Sequence, residues 1–221
     1  DGTGADKATA PGDYGSVSVV SATIPAGSLS LAVSVASLQE SLFEADEKLS
    51  VTLSALVNTS AGDVSGEGTI TNDDTAPQIS VYDLSINEGD TGFFIASLSA
   101  ASALDAVFDW QTYDGSATAA DFTGVSATTA TIAAGQLTIS LALVTIEDLI
   151  DEPNENFEVS LSAAVDATFA DDLALGTITD DDGAPNLFVA DAADVAEGQT
   201  SVFVISLSAL SGLDVTFTYE T

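Results

Sequence analysis

Basic residues are nearly absent: the 221-residue chain sets 2 Lys+Arg against 35 Asp+Glu, with no His, no Cys and no Met, for a formal charge of −33. Two cations cannot track a nucleic-acid backbone or an anionic membrane surface, so charge excludes both as partners. Without His or Cys there is no His-based triad, no thiol nucleophile, no zinc finger and no disulfide framework. Hard oxygen donors remain, and these suit Ca2+ or Mg2+. No apolar run approaches the roughly 18 residues of a membrane helix, and residues 1–10 do not read as a signal peptide. Nor is this a disordered acidic tail. Hydrophobic residues make up 46% of the chain and mean hydropathy is +0.33, which provides the apolar surface a core needs.

What the chain does have is a repeat. ITNDDTAPQISV at Ile70 recurs as ITDDDGAPNLFV at Ile178, 108 positions on. At the same step Glu47 answers Glu155, Gly27 answers Gly135, and Asp13-Tyr14 answers Asp121-Phe122. After one inserted residue, FIASLSA at Phe94 matches FVISLSA at Phe203, and Glu88-Gly89 matches Glu197-Gly198. A period of this size is a domain rather than a solenoid unit.

Within each period apolar residues alternate with a step of two, the pattern of half-buried strands. Phe94/Ala96/Leu98, Phe108/Trp110, Ile139/Leu141/Leu143 and Phe157/Val159/Leu161 each line one face. Leu31/Val33/Val35, Leu49/Val51/Leu53, Phe203/Ile205/Leu207 and Phe217/Tyr219 repeat the rule. Gly, Pro, Asn and Asp clusters punctuate the strands and no stretch has helical periodicity. The expected fold is all-β, with tandem antiparallel β-sandwich modules of about 7 strands each. Trp110 and the other aromatics are expected in the core.

The period divides the chain unevenly. Residues 75–182 form one complete module, 1–74 the C-terminal part of another, and 183–221 the N-terminal part of a further one. The tail continues into the head, since TFTYET followed by DGTGADKATAPGDYG parallels FDWQTYDGSATAADFTG around Trp110. A half sandwich cannot bury its core alone. Either the sequence is an excerpt of a tandem array, or separate chains complete each other head to tail by strand addition. In both cases the expected partner is another copy of the same module.

Together these residues resemble the Calx-β domain. The resemblance is carried by Glu88-Gly89 and Glu197-Gly198, the Thr112 to Phe122 segment TYDGSATAADF, Ala133 to Gln136, the Ile146 to Phe157 segment with its five acidic residues, and GTITDDD from Gly176 to Asp182. It implies an immunoglobulin-like sandwich that binds Ca2+ at one end, through loops near the linker to the next domain. The ligands it implies are Glu88, Asp121, Glu147, Asp148, the carbonyl of Ile150, Glu152, Glu155, Asp180, Asp181 and Asp182. In the divided module they are Asp13, Glu40, the carbonyl of Leu42, Glu44, Glu47, Asp73 and Asp74, with Glu197 contributing from the next half. Two departures mark that second set: Gln39 stands in place of Glu147, and Asn72 in place of Asp180. Asp151 receives no ligand role.

Charge arithmetic agrees with the resemblance. Like charges repel by about 1 kcal/mol per pair at 4 Å in water, and more where solvent is excluded, so a dense carboxylate cluster calls for a counter-ion. Lys and Arg are too few to supply it. The function expected is a structural Ca2+-binding repeat in an extended stalk or filament, extracellular or on a bacterial cell surface, rigidified at module junctions. The alternative is an adhesin segment that recognises a carbohydrate or host protein. Regulatory Ca2+ sensing would require an attached effector, and enzyme activity is not expected, because paired carboxylates alone do not make a glycosidase cleft.

Overall fold

The computed structural model describes residues 7–10 and 12–221, and among them there is no helix. Thirteen strands follow one another: β1 (Glu47–Thr52), β2 (Ser65–Ile70), β3 (Gln78–Val81), β4 (Leu84–Asn87), β5 (Thr91–Leu98), β6 (Ala106–Asp114), β7 (Thr128–Ile132), β8 (Thr138–Val144), β9 (Glu155–Val165), β10 (Thr168–Asp171), β11 (Leu173–Thr179), β12 (Leu187–Val189) and β13 (Ile205–Leu207). They fall into two compact units. The first holds the described residues up to Pro77 with 100–106 and 133–136, and the second holds 78–99, 107–132 and 137–221.

The second unit holds most of the complete module, whose strands form a four-stranded sheet in the order β10-β3-β5-β8 and a five-stranded sheet in the order β4-β11-β9-β6-β7. Pairing is antiparallel except at two places, where β10 runs parallel to β3 and β11 parallel to β4. The alternation seen in the sequence becomes the core: Phe94, Ala96 and Leu98 of β5 are buried, as are Phe157, Val159 and Leu161 of β9. The two sheets face each other through Phe94 and Phe157, whose rings meet edge to face at 5.9 Å, while Phe122 stacks on Phe157 at 4.4 Å. Each fully buried Phe or Leu contributes about 1.5–3 kcal/mol. Phe108 and Trp110 lie in the same core.

The part-modules behave differently from the expectation of strands. Residues 30–36 belong to no strand, and Leu31 and Val33 are exposed. Phe203, Phe217 and Tyr219 are exposed as well, and β13 pairs with β12 alone. In the first unit β1 and β2 form a two-stranded sheet with Glu47 opposite Ile70. Apolar alternation states which face a strand would bury, but a strand forms only where a partner pairs with it.

Register places the site. Ile178 pairs with Glu155 and Thr179 with Asn87, so the start of β9, the end of β11 and the end of β4 share one edge of the five-stranded sheet. Loops bearing Glu88, 146–154 and 180–182 leave from that edge.

Candidate metal centre

Six carboxylates in the second unit form two tight groups. Glu88, Asp148 and Asp182 each offer an oxygen within 4.8 Å of the others, and Asp121, Glu152 and Glu155 do the same. Asp13, Glu44 and Glu47 form a third group in the first unit, and they are the counterparts of Asp121, Glu152 and Glu155 at the 108-residue step.

Local hydrogen bonds build these loops identically in both repeats. Asp121 accepts from the Thr118 N–H (2.7 Å) and hydroxyl (3.1 Å), just as Asp13 accepts from the Thr9 N–H (2.5 Å) and hydroxyl (3.0 Å). The Ile146 N–H donates to the Asp121 carbonyl at 2.8 Å, and the Leu38 N–H to the Asp13 carbonyl at 2.9 Å. Asp148 accepts from the Ile150 N–H at 2.7 Å, and Glu40 from the Leu42 N–H at 2.6 Å. Side chains short enough to bond their own loop fix the turn and leave the second carboxylate oxygen for another partner. Gly89, with φ +70°, suits the turn after Glu88; a Cβ there would lie 2.5 Å from Glu147 Oε2.

Electrostatics marks the groups as under-compensated. Glu88 is raised to about 7 by desolvation first, then by Asp148, Asp180, Asp182 and Glu152. Glu155 is raised to about 7 by desolvation and then by Asp121. Glu47 is raised to about 7 by desolvation, then by Asp13, Glu44 and Glu40. Asp13 moves the other way, held down chiefly by the Thr9 N–H. Glu88 Oε2, Asp180 Oδ1, Asp182 Oδ2 and Glu47 Oε2 are buried atoms with no hydrogen-bond partner. Oxygens stripped of water and set against like charges are donors for a cation. The donor set, all oxygen with neither nitrogen nor sulfur, fits Ca2+, which takes 6–8 oxygens in flexible geometry.

Other expected ligands sit around these groups. Asp180 lies in the field of Glu88, and Asp181 in that of Glu147, outside the two tight groups. Asp73 accepts instead from Gln39 Nε2 at 3.0 Å, and Asn72 brackets Asp74 by donating to its carbonyl at 3.2 Å and accepting from its N–H at 3.4 Å. Asp13, Glu40, Glu44 and Asp73 line one cleft with Gln39 and Asn72. Glu197 is exposed and belongs to no tight carboxylate group among the described residues.

A joint beside each site lies outside the sequence expectations. The Ala103 N–H donates to the Phe43 carbonyl at 2.9 Å and the Gly212 N–H to the Asp151 carbonyl at 3.0 Å. Ser102 Oγ also donates to the Phe43 carbonyl, at 3.2 Å, and Ser211 Oγ to Asp151 Oδ2, at 3.5 Å. A Cβ on Gly212 would stand 2.7 Å from Glu152 Cγ, so the Gly212 backbone passes close beside a side chain of the site and leaves no room for a larger residue. Asp151, without a ligand role, is a joint residue. Its signal was the recurrence of Ser102 as Ser211 and of Leu104 as Leu213.

Comparison with known proteins follows the same line. No curated protein matches the chain. It is similar to a solved structure described as calcium binding domain CBD12 of CALX1.1, at 18% identity and a TM-score of 0.45, over 55% of this chain and 54% of that one. This chain thus spans about half the length of that structure. It is similar also to the apo form of the Calx CBD1 domain (17% identity, TM-score 0.44, 49% of this chain and 100% of that one). The Calx CBD2 domain is another (9% identity, TM-score 0.42, 47% and 86%). The family profile of the Calx-beta domain matches twice, over residues 2–75 and 71–182. The chain, in which the same domain occurs in tandem, belongs to the Calx-beta domain family.

Proposed function

We propose that this chain is a structural Ca2+-binding repeat, its Calx-β modules joined head to tail in an extended stalk or filament, on a bacterial cell surface or in other extracellular surroundings. Calx-β tandem domains are calcium-binding domains. The observation that carries the reading is the packing of Glu88, Asp148 and Asp182, and of Asp121, Glu152 and Glu155, in a chain whose only side-chain cations are Lys7 and Lys48. Ca2+ relieves that repulsion and stabilises the folded state it binds. Extracellular Ca2+ modules have Kd near 10⁻⁴–10⁻³ M, in keeping with millimolar surroundings.

Rigidity at junctions follows from the loop that does both jobs. Residues 148–152 carry Asp148 and Glu152 to the carboxylate groups and the Asp151 carbonyl to the joint. An ion that orders this loop orders the joint with it. We assign the chain no catalytic role, and its partners are other copies of the module. Calorimetric titration with Ca2+, together with melting and sedimentation with and without chelator, tests the reading. Ca2+ should raise the melting temperature and stiffen the particle; melting and hydrodynamic size both indifferent to Ca2+ would sink it.

A further inference from the structure

We propose that Gly212 is a positioning residue for the group of Asp121, Glu152 and Glu155. By carrying no side chain it leaves Glu152 its place in the group, so a residue of the following module sets the cation affinity of the module before it. The inference rests on the Ca2+ reading above and adds a determinant that holds no ion itself.

The following module reaches back to the loop of the site through one short turn. Asp151 bridges to Ser211 in parallel register, and the Gly212 N–H donates to the Asp151 carbonyl at 3.0 Å. The turn is braced from within by the Leu213 N–H, which donates to Ser211 Oγ at 3.2 Å. Asp151 stands between Ile150 and Glu152, so these bonds hold the backbone from which the Glu152 side chain starts. They do not decide where its carboxylate ends, because a glutamate keeps several free torsions beyond Cα.

The clearance at Gly212 decides that. A Cβ there would meet Glu152 Cγ at 2.7 Å, Oε1 at 2.7 Å and Cδ at 3.1 Å, so its three nearest atoms all belong to this one side chain. Gly212 does not sit in the left-handed region of φ, so the backbone itself does not demand a glycine. The other joint makes the same point: Ala103 holds the corresponding place, with its N–H on the Phe43 carbonyl at 2.9 Å and the Leu104 N–H on Ser102 Oγ at 2.9 Å. A turn of this kind therefore accepts a methyl group, and what a methyl group at residue 212 displaces is Glu152.

The energetic consequence appears only with the ion. Without Ca2+, Glu152 swings aside into another rotamer at little cost, since a flexible side chain and not backbone is in the way. With Ca2+, the carboxylate must stay beside Asp121 and Glu155, and the displacement is felt as lost affinity. By linkage, an ion that fixes Glu152 also favours the joint made by Gly212.

Calorimetric Ca2+ titration of the full chain carrying Gly212→Ala tests the assignment. Affinity in the complete module should fall about tenfold, the lower end of what is lost with groups that orient a ligand without touching the metal. The first unit should keep its affinity, and melting in EGTA should stay that of the parent chain. Gly183→Ala places its Cβ where nothing lies within 4 Å, and it should leave both affinities unchanged although Gly183 adjoins Asp182 in sequence. In a Glu152→Ala background Gly212→Ala has nothing left to displace and should add no further loss. Parent-like affinity in Gly212→Ala, an equal loss from Gly183→Ala, a further loss in the Glu152→Ala background, or a lowered melting temperature in EGTA would each overturn the proposal. A parent chain that binds no Ca2+ would instead overturn the reading beneath it.

Discussion

The two acidic sites were built on one plan and diverge in one half of it. Asp13, Glu44 and Glu47 reproduce Asp121, Glu152 and Glu155, down to the threonine that braces each aspartate. The other half recurs only in part: Glu40, Asp73 and Asp74 are kept, but Gln39 and Asn72 replace Glu147 and Asp180, and their amides bond Asp73 and the backbone of Asp74. An amide N–H brings a fixed positive dipole to a carboxylate, doing weakly what a cation does strongly, without adding a negative charge. Three buried oxygens without partners, on Glu88, Asp180 and Asp182, lie in the complete site, against one, on Glu47, in the other. The difference teaches that dependence on ions is set locally, by the balance of carboxylate and amide, under a net charge common to the whole chain.

Withdrawing Ca2+ should separate the sites most. An ion at 10 to 100 times its Kd adds about 1.4–2.7 kcal/mol. Two ions lost from the complete module should lower its melting by more than about 10 °C, and one lost from the first unit by about half as much. Scanning calorimetry with and without EGTA reads both transitions, and equal shifts would break the comparison. Next in size are single ligands. Glu152→Gln and Glu44→Gln should each weaken Ca2+ binding about tenfold at their own site, because they hold the same place in the same group. Glu88→Gln should remove affinity from the complete module only, as counted by titration of the variant, and an effect on the first unit would sink that assignment.

Much of this was legible in the sequence, and the remainder was hidden for physical reasons. Alternation identified the faces of Phe94/Ala96/Leu98 and Phe157/Val159/Leu161, all buried. The same alternation at Leu31/Val33/Val35 produced no strand, since pairing depends on a neighbour that local pattern does not contain. The parallel pairs β3–β10 and β4–β11 were invisible for the same reason. Spacing collected the acidic residues at strand ends, but their partition into two groups comes from the long-range register of β4, β9 and β11. Asp151 was missed because its joint runs through a backbone carbonyl, which leaves the side chain free to vary: its counterpart is Phe43.

Restoring the carboxylates sharpens the contrast by a smaller step. Gln39→Glu with Asn72→Asp should destabilise the first unit by about 1 kcal/mol in chelator, from repulsion against Asp73 and Asp74. In Ca2+ the same variant should bind more tightly than the parent chain. Melting in the two buffers is the measurement, and a variant as stable as the parent in EGTA would show that the amides do not relieve repulsion.

The smallest effect is a change of sign with pH. Glu88, Glu155 and Glu47 titrate near 7 in the folded, ion-free chain, against 4.5 when free of it, with desolvation the leading cause. Between those values the folded chain holds protons that the unfolded chain has released, so stability rises as pH falls through about 7 and is lost again as these groups ionise above it. Partial exposure screens the contribution to less than about 1 kcal/mol per group. With Ca2+ bound the slope should reverse, because acid then displaces ions from carboxylates that must be charged to hold them. Melting temperatures between about pH 5 and pH 8 should therefore climb on acidification in EGTA and fall in Ca2+, more steeply for the complete module, which carries two of the three groups raised to about 7. A fall in EGTA would mean that these carboxylates are compensated by something other than an ion, and the contrast between the two sites would lose its electrostatic basis.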